Sequence, residues 1–138
     1  MLRLAVDVNI ILTWLGFQSE ELRLKAESIF RELVMGNLEA AAPEFLLVEL
    51  VNVLKWRLKR SEKESRALIK RVMESGMKFV PAGVGEIYKV DGLMYKYELT
   101  AYDAQYLFAA MKTKSKLITS DPKLLEVKKW CVGLGKVE

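Results

Sequence analysis

Leu2-Arg3-Leu4-Ala5-Val6-Asp7 is a short, mainly apolar run of strand length that stops on a carboxylate. The aspartate ends the pattern of a buried strand, and it also interrupts the apolar region an export signal would continue. Outward from this start, strand-like and helix-like stretches alternate. Glu20 to Met35 sets Leu22, Ala26, Ile29, Phe30 and Leu33 at a helical period, and Gly36-Asn37 supplies the stop. Leu38 to Ala42 predicts a second strand. Pro43 is expected to open a helix reaching position 60, apolar almost all round through Phe45, Leu46, Leu47, Val48, Leu50 and Val51, and therefore buried. Ser61 to Ser75 predicts another helix, with Ser61 and Glu64 at capping-box spacing and Gly76 closing it. Lys78 to Val80 predicts strand three, Glu86 to Lys96 and Thr100 to Met111 two helices, and Lys116 to Thr119 strand four. Pro122 to Lys128 suggests a short helix, and Cys131 to Val137 a fifth strand weakened by Gly133 and Gly135. This alternation implies an α/β fold: a three-layer α/β/α sandwich whose central, mainly parallel sheet has about five strands. Residues 1–138 are expected to form a single domain.

Composition limits the function classes. The chain has 138 residues, 51% hydrophobic and 29% charged, which is globular rather than disordered. No apolar run approaches the ~18–20 residues that span a bilayer, so no membrane partner is expected, and with no export signal a cytoplasmic location is the default. The single cysteine, Cys131, has no intrachain disulfide partner and sits in an apolar stretch, as a small core residue would. The net charge of +4 and pI near 9.1 mildly suit a polyanion. Basic residues cluster between positions 55 and 71. Arg57, Lys59 and Arg60 there are candidate RNA contacts, and a solvated helix face shared with Glu62 and Glu64 is the plainer alternative.

The chain contains no histidine, so the usual general base is missing. Attention passes to four carboxylates. Asp7 ends strand one, and Asp121 follows strand four; in such sheets ligands collect at the carboxyl ends of the strands. Asp103 opens a late helix. Each of these three also has a structural reading, as a turn or helix cap. Glu49 lies mid-helix among apolar neighbours, with Phe45, Leu46, Asn52 and Val53 at the neighbouring turns and no basic partner. Its partner must come from elsewhere in the fold or be a cation. Two carboxylates ~4 Å apart repel by about 4 kcal/mol at an effective dielectric near 20, so four in one pocket require a counter-charge. An all-oxygen ligand set favours Mg²⁺ or Mn²⁺ over zinc or copper.

Asp7-Val8-Asn9 after the first strand, Glu49 in an apolar helix, Tyr102-Asp103-Ala104 opening a late helix, and Leu117-Ile118-Thr119-Ser120-Asp121 resemble the PIN domain, and more narrowly the VapC-type toxins of toxin–antitoxin pairs. The resemblance spans essentially the whole chain in order and spacing. It implies a Mg²⁺- or Mn²⁺-dependent endoribonuclease, the toxin of a type II pair, on an α/β/α fold. Asp7 and Asp103 match the acids most often placed on the metal, and Glu49 and Asp121 those that complete the catalytic pocket. Asn9 and Thr119 stand where the family often has a small supporting polar side chain. The resemblance also implies an RNA substrate, a homodimer and a cognate antitoxin protein, with Trp14, Leu15 and Phe17 as candidates for a protein-facing surface or for core.

Other classes fit less well. A phosphohydrolase of the haloacid-dehalogenase type needs a second aspartate where Asn9 stands, and a phosphoacceptor receiver domain needs one after the third strand, where nothing suitable follows Val80. The remaining alternative is a catalytically degenerate PIN-like module that binds RNA or protein without cleaving.

Overall fold

A computed structural model describes residues 1–137; Glu138, the last residue of the expected domain, lies outside the described residues. The elements in chain order are β1 (Leu2–Val6), α1 (Val8–Trp14), α2 (Glu20–Val34), β2 (Leu38–Pro43) and α3 (Phe45–Asn52), which continues as one π-helical turn, Val53–Arg57. Then come α4 (Glu62–Met73), β3 (Lys78–Val80), α5 (Ile87–Tyr97), α6 (Ala101–Lys112), β4 (Lys116–Ile118), α7 (Pro122–Leu125) and β5 (Cys131–Val132). The five strands form one sheet in the order β3-β2-β1-β4-β5, every pair parallel. Strand order runs outward from β1 in both directions, so successive right-handed crossovers place α1–α4 on one face and α5–α6 on the other. The expected three-layer α/β/α sandwich is what the chain adopts.

The core follows from the sequence pattern. Leu4, Ala5 and Val6 of β1 are buried, and Ile10, Ile11 and Leu12 of α1 cover them. α6 contributes Ala104, Leu107, Ala109 and Ala110, all fully buried, and the small side chains let it lie close against the sheet. Ala109 packs directly with Ala41 and Val80. Ser61 and Glu64 close the expected capping box: Glu64 N–H donates to Ser61 Oγ at 3.1 Å and Ser61 N–H to Glu64 Oε1 at 3.2 Å. Cys131 is buried, as a core residue should be, and burial pushes its thiol up to about 11.

Several expectations are corrected. Pro43 does not open the helix; it ends β2, paired with Val80, and the missing N–H is tolerated at a strand terminus. The following helix is not buried all round. Leu46, Leu50 and Leu54 face the core, while Val48, Val51 and Trp56 are 63%, 40% and 61% exposed, because one helix packed on one layer can bury only one stripe. Residues 8–14 form α1, a helix the local pattern did not announce. Trp14 within it stacks on Phe30 at 4.0 Å, and Trp14, Leu15 and Phe17 all pack against the core. Pro122 to Lys128 shortens to α7, and the fifth strand stops at Val132, where Gly133 leads into a 3₁₀ turn at Leu134–Lys136.

Candidate functional site

β1 and β4 are neighbours whose outgoing connections lead to opposite faces of the sheet, which opens a crevice at their carboxyl ends. Asp7 and Thr119 enter it from the two strands. Asp7 is only 4% exposed and Thr119 is fully buried. Thr119 Oγ1 donates to Asp7 Oδ2 at 2.5 Å, while Asp7 Oδ1 accepts the Ile10 N–H at 3.1 Å and so caps α1. The Thr119 hydroxyl oxygen in turn accepts the Asp121 N–H at 3.0 Å. One threonine therefore joins the ends of both strands. Asp121 caps α7, accepting the Lys123 N–H at 2.8 Å with Pro122 at the first helical position.

α6 and α3 bring the other two acids. Thr100 caps α6 by accepting the Asp103 N–H at 3.2 Å, which holds Asp103 in the first turn. Three residues on, on the same face of the helix, Tyr106 is buried and donates its hydroxyl to Glu49 Oε1. The partner that Glu49 lacks within its own helix is thus a tyrosine hydroxyl from α6. Phe45 stacks on Tyr102 at 5.2 Å and meets Tyr106 edge-on at 6.5 Å, which aligns the two helices beside the acids.

The electrostatics tie the four acids together. Burial raises Asp7 from the ordinary 3.8 to about 6, against the hydrogen bonds from Thr119, Ile10 and Asn9, and the charge of Glu49 adds to the rise. Burial also raises Asp103, and the neighbouring Asp121 carboxylate raises it further, with a smaller contribution from Glu49. Tyr106 is pushed far up, by burial first and then by Glu49 and Asp7, so it remains a proton donor. No lysine or arginine among the described residues pairs with Asp7, Glu49, Asp103 or Asp121. Among the described residues no three acids stand close enough to form a closed ligand set. The carboxylates lie along one rim and feel one another's charge, and Asp121 acts on Asp103 more strongly than Glu49 does. The oxygen-only donor set and the uncompensated negative charge suit a hard divalent cation.

Asn9 stands two residues past Asp7, but its Oδ1 accepts from Gln18 Nε2 at 3.3 Å. Gln18 Oε1 accepts from Arg57 Nη2 at 3.4 Å. A chain of side chains therefore runs from the acid rim to the basic cluster. Arg60 is committed elsewhere, to the Leu58 carbonyl at 2.9 Å and to Glu64 at 3.5 Å, while Lys59 is exposed. Sequence reading missed Tyr106 and Gln18. Tyr106 was within reach, since it lies one helical turn beyond Asp103; Gln18 comes from a loop whose course nothing local dictates.

A family model described as the PIN domain matches residues 4–129, a span that holds all four acids. The chain belongs to the PIN domain family. Solved PIN-like structures resemble it along nearly their whole length. PAE2754 from Pyrobaculum aerophilum shares 22% identity at a TM-score of 0.66, covering 97% of this chain and 90% of that one. VapBC2 from Rickettsia felis, bound to a DNA fragment from its promoter, shares 13% identity at a TM-score of 0.68, covering 96% and 98%. FitAcB from Neisseria gonorrhoeae shares 15% identity at a TM-score of 0.58, covering 97% and 99%. At such identities the likeness establishes the PIN fold. No curated protein sequence matches the chain. No helix of this PIN domain, among the described residues, is long and apolar enough to cross a membrane.

Proposed function

We propose that residues 1–138 form a single PIN domain acting as a Mg²⁺- or Mn²⁺-dependent endoribonuclease, the toxin of a type II toxin–antitoxin pair. One observation carries this reading: four carboxylates lie along the carboxyl rim of the sheet, and among the described residues no cationic side chain pairs with them. Asp7 and Asp103 would hold the ion, with Glu49 and Asp121 completing its surroundings. A divalent ion at such a rim polarises a phosphodiester, lowers the pKa of bound water and steadies the leaving oxygen. The protein's own residues do the rest. Thr119 holds the Asp7 carboxylate in one orientation, and Tyr106 does the same for Glu49. Burial and the neighbouring Asp121 raise the proton affinity of Asp103, and a carboxylate of this rim would take the proton from the attacking water, the task histidine performs elsewhere. Arg57, tied through Gln18 to Asn9, and the exposed Lys59 would guide the RNA backbone toward this rim, with Arg60 contributing less because Glu64 holds it.

The partners follow the same reading. The likeness to the VapBC2 and FitAcB structures supports a cognate antitoxin for this chain, and a homodimer is part of the same proposal. A cytoplasmic location goes with an RNA substrate. The test is cleavage of structured RNAs with and without Mg²⁺, with Asp103→Asn as control. Loss of activity with chelator and with Asp103→Asn is the expected result. Activity that survives either change refutes the mechanism, and an inactive wild type that still binds RNA marks the chain as the degenerate, non-cleaving kind of module.

A further inference from the structure

The opposite rim of the sheet, at the amino ends of the strands, carries the strongest feature outside the acid site. A cleft of about 890 Å³ runs there between β2, β3 and the turn from α6 into β4, lined by Arg3, Lys78, Lys112 and Lys114 among others. A second cleft of about 490 Å³ shares Arg3, Lys114 and Ser115 with it and continues past Lys116 and Lys129 to Trp130. The two clefts share part of their lining and together make one groove with six cationic side chains, and among the described residues the only carboxylate lining it is Glu39.

Part of this charge is already used. Arg3 pairs with Glu39 at 3.1 Å and Lys112 with Glu86 at 2.8 Å. Lys116 Nζ donates to the Lys128 and Lys129 carbonyls at 3.3 and 2.9 Å. Lys78, Lys114 and Lys129 have no carboxylate partner among the described residues. α2, α4 and α6 end at this rim, and each helix terminus brings roughly half a negative charge. That amounts to roughly 1.5 charges, which attracts cations but falls short of the four lysines, Lys78, Lys114, Lys129 and Lys116, with which no carboxylate pairs among the described residues. The groove stays positive. At its far end Trp130 is partly buried and packs against the core, with Lys129 Nζ 6.0 Å from the ring centroid.

We propose that this groove is a second RNA-binding site, an exosite that holds single-stranded RNA by its phosphates with a base stacked on Trp130. A basic track ending on an aromatic platform is the chemistry that binds single strands without reading sequence. The two rims are separated by the length of β1, roughly 15 Å, so the groove engages RNA away from the cleavage point. The inference rests on the reading of the chain as one that acts on RNA, and it adds where the flanking strand goes.

The test measures binding of labelled oligouridine, in chelator, to the Asp7→Asn protein, so that cleavage does not enter. The salt dependence of the affinity is compared with that of a variant also carrying Lys78→Gln, Lys114→Asn and Lys129→Gln. Asparagine is chosen at position 114 because that residue has a φ of +53°. Removing three phosphate contacts lowers the slope of log affinity against log salt by about 2. A control set of equal charge, Lys25→Gln, Lys89→Gln and Lys96→Gln, lies outside the groove and leaves the slope nearly unchanged. Equal effects from both sets, or none from the groove set, overturn the exosite. The outcome is separable from the nuclease reading: a wild type that cuts no RNA but loses binding with the groove set keeps the exosite and refutes the nuclease. A nuclease whose binding ignores the groove set does the reverse.

Discussion

Asp7→Asn tests the electrostatics of the acid rim without any need for a substrate. Burial raises the folded-state pKa of Asp7 from 3.8 to about 6, so the folded protein holds that proton more tightly than the unfolded chain. Stability contributed at this position is therefore present at low pH and is lost as pH rises from about 4 through about 6. The shift corresponds to about 3 kcal/mol of destabilisation once both states are ionised. Asparagine removes that cost. It also loses one good acceptor, because one amide oxygen cannot serve both the Ile10 N–H and the Thr119 hydroxyl as well as two carboxylate oxygens do. That loss is about 1 kcal/mol. In chelator, the variant is thus expected to be about 1 kcal/mol less stable than wild type at pH 4 and about 2 kcal/mol more stable at pH 8. For 138 residues the unfolding entropy is about 0.3 kcal/mol per degree, so the gain at pH 8 is about 7 °C in Tm. The assay is thermal or urea unfolding of both proteins across this range, followed by the same melts in Mn²⁺. Manganese should raise the melting temperature of the wild type and leave that of the variant unmoved. A stability difference that is flat from pH 4 to pH 8 refutes the account of Asp7 as a carboxylate held at a cost by burial.

Two further substitutions probe the framework around that rim. Tyr106→Phe removes the donor to the half-buried Glu49 carboxylate and is expected to lower stability by about 1–2 kcal/mol at pH 7, read by urea unfolding; an unchanged midpoint would mean that water replaces the hydroxyl without loss. Leu50→Ala and Val51→Ala sit side by side on α3, but Leu50 is fully buried and Val51 is 40% exposed. The first should cost about 2–5 kcal/mol and the second well under 1, and comparable losses would contradict the single buried stripe described for this helix.

Local pattern determined much of this protein. The apolar run ending at Asp7, the helical period from Glu20, the capping box at Ser61 and Glu64, and the alternation of strands with helices depend on interactions within a few residues, and they set the α/β/α class. The same is true of the acids at element ends, since Asp7 and Asp121 are marked by where their strands stop. Local pattern misjudged positions that depend on what lies alongside. Val48, Val51 and Trp56 looked like core because apolar composition does not say which stripe of a helix finds a partner. Pro43 looked like a helix start because its pairing with Val80 comes from a strand 37 residues further on. At the rim itself, the Thr119 bond to Asp7 spans 112 positions and the Tyr106 bond to Glu49 spans 57. The order of strands, with β4 set beside β1, brings Thr119 to Asp7, and the meeting of α3 with α6 brings Tyr106 to Glu49. The sequence by itself determined which acids this protein carries and the class of fold that holds them. The tertiary structure decided which hydroxyls orient them and how strongly they repel, because burial and distance are properties of packed elements.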